Sequence, residues 1–272
     1  MTQKIDEEAL AEAYNRALAL EKAGKVDEAV KAYEEVLALD PDDHGGAAVR
    51  IASMGRGETP DRAPEAYVTT LFDQQADAFE EILVEQLEYS VPMLVRQRLQ
   101  ALSLGPFGNF LDLGCGTGLT GGALSDMTET RTGVDLSENM VEIAHEKEIY
   151  DSLYVAEAVD YLEDNDDGPF DLVTATDVLP YLGALEPLFF AAAETMSPGG
   201  LFVFSSETLT DAAFAGRPFM VGPHQRFAHS EAYVRARLDA TGFDLVDLTE
   251  ITVRLEEGQP IPGHLVIAKL RG

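Results

Sequence analysis

The chain has 272 residues, 46% apolar and 25% charged, the proportions of a globular protein long enough for one large domain and a smaller one. Its 49 acidic against 19 basic residues leave a formal charge of −30, which argues against nucleic acid and anionic membranes as partners, since both need a basic face. No apolar run approaches the length of a membrane span, no apolar core follows the N-terminus, and the single cysteine, Cys115, permits no internal disulfide, so a cytoplasmic protein is expected.

Residues 5 to 40 read as two amphipathic helices. Ala9, Ala13, Ala17 and Leu20 share one face, Gly24-Lys25 breaks it, Ala29, Tyr33 and Val36 resume it, and Pro41 ends it. His44 to Met54 can start a third helix. Small residues where the helices cross, a glycine turn and a closing proline resemble one tetratricopeptide repeat. A single repeat cannot bury its own face. Region 1–55 is therefore expected either to cap the following domain or to bind another chain, a protein partner or a second copy.

Gly55-Arg56-Gly57-Glu58-Thr59-Pro60 is a loop and a boundary. Residues 64 to 84 predict a long helix with Tyr67, Leu71, Ala76, Phe79 and Leu83 as apolar positions. Residues 89 to 103 predict another, with Pro92 in its first turn.

Phe110-Leu-Asp-Leu113 is fit for a buried strand and runs into Gly114-Cys-Gly-Thr-Gly118. Leu119 to Leu124 can then open a helix. A strand, a glycine turn and a helix N-terminus form a cofactor cradle. Gly116 to Gly121 also matches G-x-G-x-x-G with Asp135 downstream, the dinucleotide fingerprint of an oxidoreductase. The register disfavours that reading, because the first glycine after the strand is Gly114.

The stretch Asp112 to Gly118 resembles motif I of the class I S-adenosylmethionine (SAM) dependent methyltransferases. The resemblance implies that Gly114, Cys115, Gly116, Thr117 and Gly118 wrap the methionine end of SAM, with Asp112 near its ammonium and Cys115 as a small packing residue. It gives the ribose hydroxyls to Asp135, at the end of the strand Arg131–Asp135, and the flanks of the adenine to Leu136 and Met140. Ser137 is the expected cap of the next helix. Glu157-Ala158, after the strand Leu153–Ala156, stands where such families carry an acid near the adenine amino group. Tyr67 to Phe79 resembles their entry helix, which makes Tyr67, Phe72 and Tyr89 substrate-pocket residues or core.

Asp164 to Gly168 hints at a calcium loop, but Ala175 holds the twelfth position, so a solvated turn is read and no metal is expected. Phe170 to Asp177 is the fourth strand and its exit. Thr176, Asp177 and Tyr181 would face the reactive methyl in the similar families. Ser197 to Phe204 resembles the turn and fifth strand of the same fold. Thr208 to Ser230 is read as a long connection. Its residues 212 to 230 lack acids and carry Arg217, His224, Arg226 and His229, which suggests an anionic substrate at Arg226. His229 is the first choice for a general base, before Tyr181 and Asp177. Residues 243 to 254 and 263 to 270 would pair across Gly258–Gly263.

The expectation is an α/β, Rossmann-like class I methyltransferase fold: a seven-stranded sheet, order 3-2-1-4-5-7-6, behind a TPR-like hairpin. Residues 64–272 form the catalytic domain, with covering helices at 64–103 and the core at 108–272. The product of SAM would be S-adenosylhomocysteine (SAH). A small molecule is the preferred methyl acceptor. A protein recruited through the helical repeat, or a SAM-binding scaffold, is the alternative.

Overall fold

The computed structural model describes residues 6–164 and 167–272; the turn read at 164–168 lies partly outside them. The N-terminal helices α1 (Glu7–Lys22), α2 (Val26–Leu39) and α3 (Ala47–Ser53) pack through alanines. Ala13, Ala17, Ala32 and Ala47 surround Tyr33 and Val36, and small side chains let the helix axes approach closely. The half-buried Arg50–Glu21 pair, 3.2 Å, ties α3 to α1.

The predicted long helix is broken. α4 covers Glu65–Gln75, a tight 3₁₀ turn covers Ala76–Ala78, and a wide π-helical turn covers Glu81–Gln86. These changes of pitch let the segment curve across the sheet while Phe72, Phe79 and Leu83 all stay on one side, lining a cavity. α5 (Val91–Ala101) follows.

The sheet is built from β1 (Phe107–Leu113), β2 (Thr128–Asp135), β3 (Ser152–Val155), β4 (Phe170–Ala175) and β5 (Met196–Glu207), mutually parallel in the order 3-2-1-4-5. Between them run α6 (Leu119–Ala123), α7 (Glu138–Glu146), α8 (Ala158–Asp164) and α9 (Glu186–Thr195). After β5 come α10 (Asp211–Phe214), β6 (Phe219–Val221), β7 (Phe227–His229), α11 (Glu231–Ala240), β8 (Phe243–Glu256) and β9 (Gln259–Leu270). β9 pairs antiparallel with β5, and β8 lies outside it. Leaving out the two short strands β6 and β7, the order is β3-β2-β1-β4-β5-β9-β8, which is 3-2-1-4-5-7-6 when the seven remaining strands are numbered along the chain. One apolar layer, with Phe189, Phe202, Phe204 and Phe243, packs under α8, α9 and α11. The other, with Leu99, Phe110 and Ile267, lies under α5.

Two further segments differ from the sequence reading. The connection 208–230 contains β6 and β7, an antiparallel pair joined to the end of β5 at Glu207↔Ala228. The terminal hairpin turns at Glu257-Gly258, both at positive φ, as a two-residue primed turn requires. Pro260 and Pro262 thus fall inside β9, but before Gly263, where pairing with β5 begins; their missing N–H groups cost no bond to β5. Among the described residues no helix is long and apolar enough to cross a membrane.

Candidate functional site

A cleft of about 1020 Å³, its open mouth included, lies at the C-terminal ends of β1, β2 and β4, the place where open parallel sheets hold ligands. Its floor is the glycine turn. Gly114, Gly116 and Gly118 all have positive φ (62°, 52° and 92°). A Cβ on Gly114 would sit 2.4 Å from Val178 Cγ2, so only glycine lets the turn pass beneath β4's exit loop.

The turn is held in place by acids. Asp135 Oδ2 accepts the Gly116 N–H at 2.8 Å, and its Oδ1 accepts the Ser137 N–H at 2.9 Å. The carboxylate still lines the cleft. Burial pushes its pKa up against those two donors. Glu157 accepts from Val159 N and Asp160 N (2.7 and 3.1 Å), caps α8 and also lines the cleft. Leu136, Ala156 and Ala158 complete an apolar slot between the two acids.

The cover is latched over this floor. Glu80 accepts from the Thr117 hydroxyl and pairs with the Lys147 ammonium, which also donates to Thr117 O at 2.8 Å. Partial burial opposes ionisation of Glu80, but the Lys147 and Thr117 bonds prevail and lower its pKa. Asp73 accepts from Ser137 Oγ at 2.5 Å, and its backbone O takes Asn139 Nδ2–H at 3.1 Å.

Beyond the turn the cleft becomes a chamber walled by Phe72, Phe79, Leu83, Tyr89 and Pro92, with Thr176, Asp177 and Tyr181 opposite. Thr176 bonds Thr120 at 2.8 Å. Among the described residues the Tyr181 hydroxyl and Asp177 Oδ1 are buried and have no hydrogen-bond partner, although Arg254 Nη1 lies 3.6 Å from Asp177 Oδ1, an unusual state for groups this polar.

Of the residues read from the sequence, Gly114, Cys115, Gly116, Thr117, Asp135, Leu136, Glu157, Ala158, Thr176, Asp177, Tyr181, Phe72 and Tyr89 line this one cleft. Gly118 lies just outside it as the residue before α6. Burial pushes the Cys115 thiol well up, so it is no nucleophile at neutral pH.

Five residues are placed otherwise. Asp112 is fully buried beneath the turn, accepting from Thr174 and Tyr150 hydroxyls at 2.6 Å each; it supports the loop from below. Met140 is fully buried, off the cleft wall. The Tyr67 ring packs on Gly46 of the N-terminal helices. Arg226 stands behind Asp177, Nη1 to Oδ2 3.5 Å, with its guanidinium 5.4 Å above the Tyr181 ring.

His229 is the fifth. It is wholly buried, stacks on Tyr233, and its Nε2–H donates to Leu182 O (2.8 Å) and Gly183 O (3.2 Å). Both partners are carbonyls, so Nε2 must carry the proton. Burial lowers its pKa to about 4. It holds the loop after the 3₁₀ turn Leu179–Tyr181 and does not reach the cleft.

Sequence reasoning missed Arg254. Register slips between Thr252 and Leu255 in β8, and Val253 and Arg254 are both buried as a result. Arg254 Nη1 lies 2.7 Å from Glu207 and 3.6 Å from Asp177, and Nη2 lies 3.1 Å from Glu256. A cation in a slipping strand carries no sequence signal of its own. Arg62 was also missed: the 61–63 segment bridges to Leu182, and Ala63 N–H donates to Tyr181 O at 2.8 Å, which brings Arg62 and Ala63 to the mouth of the cleft.

Comparison with known proteins agrees with this geometry. Residues 111–202 match a family model described as a methyltransferase domain, and residues 12–43 match the tetratricopeptide repeat. A ubiquinone biosynthesis O-methyltransferase of Xanthomonas campestris pv. campestris is 32% identical over 113 residues, 40% of this chain and 47% of that protein. Its counterpart in Idiomarina loihiensis is 34% identical over 106 residues, 38% and 44% of the two chains. The chain thus spans about half the length of the curated relatives it matches. The crystal structure of magnesium protoporphyrin IX methyltransferase from Synechocystis PCC 6803 with bound SAH superimposes at a TM-score of 0.58 with 19% identity, over 76% of this chain and 99% of that one. The fold is that of the class I methyltransferases.

Proposed function

We propose that this chain, which carries the class I methyltransferase fold, is a SAM-dependent methyltransferase acting on a small molecule held in the aromatic chamber. The observation that carries the reading is the Gly116–Asp135 tie: a glycine turn kept open over a carboxylate that still faces the cleft.

The residues present fit SAM. The space that a Gly114 side chain would need is already filled by Val178, so the loop backbone itself, with Gly116 and Thr117, would border the amino-acid end. Asp135 would accept the ribose hydroxyls, as a carboxylate can do with both oxygens. Leu136, Ala156 and Ala158 would bracket the base, and Glu157 would face its amino group. Bound there, SAM supplies a methyl group already activated by a sulfonium. The chain's own contribution is then orientation and exclusion of water. The cover formed by α4 and the two turns after it excludes solvent through the Glu80–Thr117–Lys147 latch. Asp177 and Tyr181 stand at the acceptor end, and His229 is left without a catalytic part.

Residues 64–272 are proposed as the catalytic unit and 1–55 as a helical unit that buttresses it. In support, Val49 and Ala52 of α3 share an apolar cluster with Ala63, Val68, Tyr181 and Phe227. The relatives' names support an oxygen nucleophile. An oxidoreductase is disfavoured by the antiparallel β9 inserted beside β5. Isothermal calorimetry tests the reading: SAH is expected to bind the full chain with micromolar or tighter affinity and NADH not at all. The reverse order would overturn it.

A further inference from the structure

Granting that the cleft binds SAM, we infer that the acceptor is an uncharged molecule with an apolar body and one hydrogen-bond donor, a hydroxyl or an amine, which it presents to Asp177.

The first ground is charge. The charged residues lining the cleft are Arg62, Glu65, Asp135, Glu157 and Asp177, one cation against four carboxylates, and Arg62 is itself paired with Glu65 at 2.7 Å. The two other arginines near the chamber, Arg226 and Arg254, are off its wall and behind Asp177. Arg254 is shared further with Glu207 and Glu256. Two guanidinium groups thus face three carboxylates. They hold the Asp177 charge in place without presenting a positive face to a ligand. An acceptor carrying a carboxylate or phosphate would meet Asp177 as a like charge in a poorly solvated chamber, where such contacts are costly.

The second ground is the state of the polar atoms. Tyr181 is 8% exposed, lines the chamber, and its hydroxyl has no hydrogen-bond partner among the described residues; Asp177 Oδ1 likewise accepts no hydrogen bond, its ion-pair partner Arg254 Nη1 standing off at 3.6 Å. A hydroxyl or amine donating to Asp177 Oδ1 can also bond the Tyr181 oxygen, which satisfies two buried groups at once. Asp177 is fixed for this task. Its φ is +59°, its N–H donates to Ser205 Oγ at 2.9 Å, and the arginines restrain its carboxylate. The rest of the chamber is mostly apolar: Phe72, Phe79, Leu83 and Pro92 face a ligand's body, with the hydroxyls of Tyr89 and Thr176 beside them, the latter already bonded to Thr120.

The test uses the full chain loaded with SAH and three probes of one shape: 4-butylphenol, 4-butylaniline and 4-butylbenzoate, titrated by calorimetry at neutral pH. The phenol and the aniline are expected to bind, with the benzoate about tenfold weaker or worse. Asp177→Asn removes the repulsion and should narrow that gap to about threefold. The wild-type gap needs no variant, so a poorly folded Asp177→Asn leaves the test intact. With SAH bound, a benzoate as tight as the phenol, or none of the probes binding at millimolar concentration, overturns the inference and leaves the cofactor reading standing. Failure of SAH to bind removes both.

Discussion

Asp135 and Gly116, nineteen residues apart, are joined by a hydrogen bond of 2.8 Å from the loop N–H to the carboxylate. One side chain therefore both shapes the glycine turn and faces the cleft. Hydrogen bonds to a charged acceptor are worth about 1.5–3 kcal/mol each. Asp135→Ala should therefore weaken SAH binding by more than tenfold in calorimetry. Unchanged affinity would mean that the carboxylate serves the loop alone.

Gly114→Ala tests the floor. The left-handed backbone at this position costs a non-glycine residue about 1–2 kcal/mol, and the added Cβ would strike Val178. SAH affinity should fall at least tenfold. Val178→Ala in the same chain removes the clash but not the backbone strain, so recovery should be partial. Full recovery would show that φ plays no part.

Asp112 predicts a pH effect on stability. Burial raises its pKa to about 6, against bonds from Thr174 and Tyr150 that lower it. The folded state therefore holds the proton more tightly than the unfolded state does. The stabilisation from that proton is complete below about pH 4 and is lost as pH rises through about 6. Asp112→Asn has no such loss. Relative to wild type, the variant should gain stability steadily between about pH 4 and 6, by up to roughly 3 kcal/mol, in urea unfolding followed by circular dichroism. A difference that stays flat, or runs the other way, rejects the raised pKa.

His229 was the sequence's first choice for a base, and its burial against two carbonyls assigns it another task. His229→Gln keeps an N–H donor for Leu182 O and should retain SAH affinity and most turnover. His229→Phe orphans both carbonyls and should lose about 1–3 kcal/mol of stability. Because the folded pKa of about 4 lies below the unfolded value, wild type should lose stability as pH falls from about 6.5 towards 4, as unfolded chains take up the proton. Neither variant should show that component. Equal loss of turnover in both, with normal stability, would restore His229 as a base.

What the sequence disclosed follows from how local each feature is. The glycine turn, Asp135 and the parallel strands are legible because backbone conformation at Gly114 and hydrophobic runs such as Phe110–Leu113 constrain residue type directly. β6 and β7 are three residues each, too short to alternate visibly, and His229 sits at the end of one. Its partners, Leu182 and Gly183, are more than 40 residues away in the chain. Asp112 was drawn towards the ligand by its place in the motif, whereas Tyr150 and Thr174, from β3's approach and β4, turn its carboxylate under the loop. Arg254 is buried by a slip in strand register, and nothing in Thr252-Val253-Arg254-Leu255 announces a slip.

The Glu80 latch separates stability from gating. Its side chain and that of Lys147 are 42% and 32% exposed, and pairs at that level contribute about 1 kcal/mol or less. Glu80→Gln should therefore leave the melting temperature within a few degrees of wild type. Yet the same carboxylate joins the cover to Thr117, in the middle of the glycine turn, and a ligand held between that turn and the cover leaves only when the cover lifts. Weakening the tie by about 1 kcal/mol should speed SAH release roughly fivefold, measured by stopped-flow displacement, with little change in association rate. Added salt should speed release from wild type and have less effect on the variant, because the ion pair it screens is already gone. Release that is insensitive to both salt and Glu80→Gln would mean that SAH escapes without moving the cover, and that the latch only positions α7.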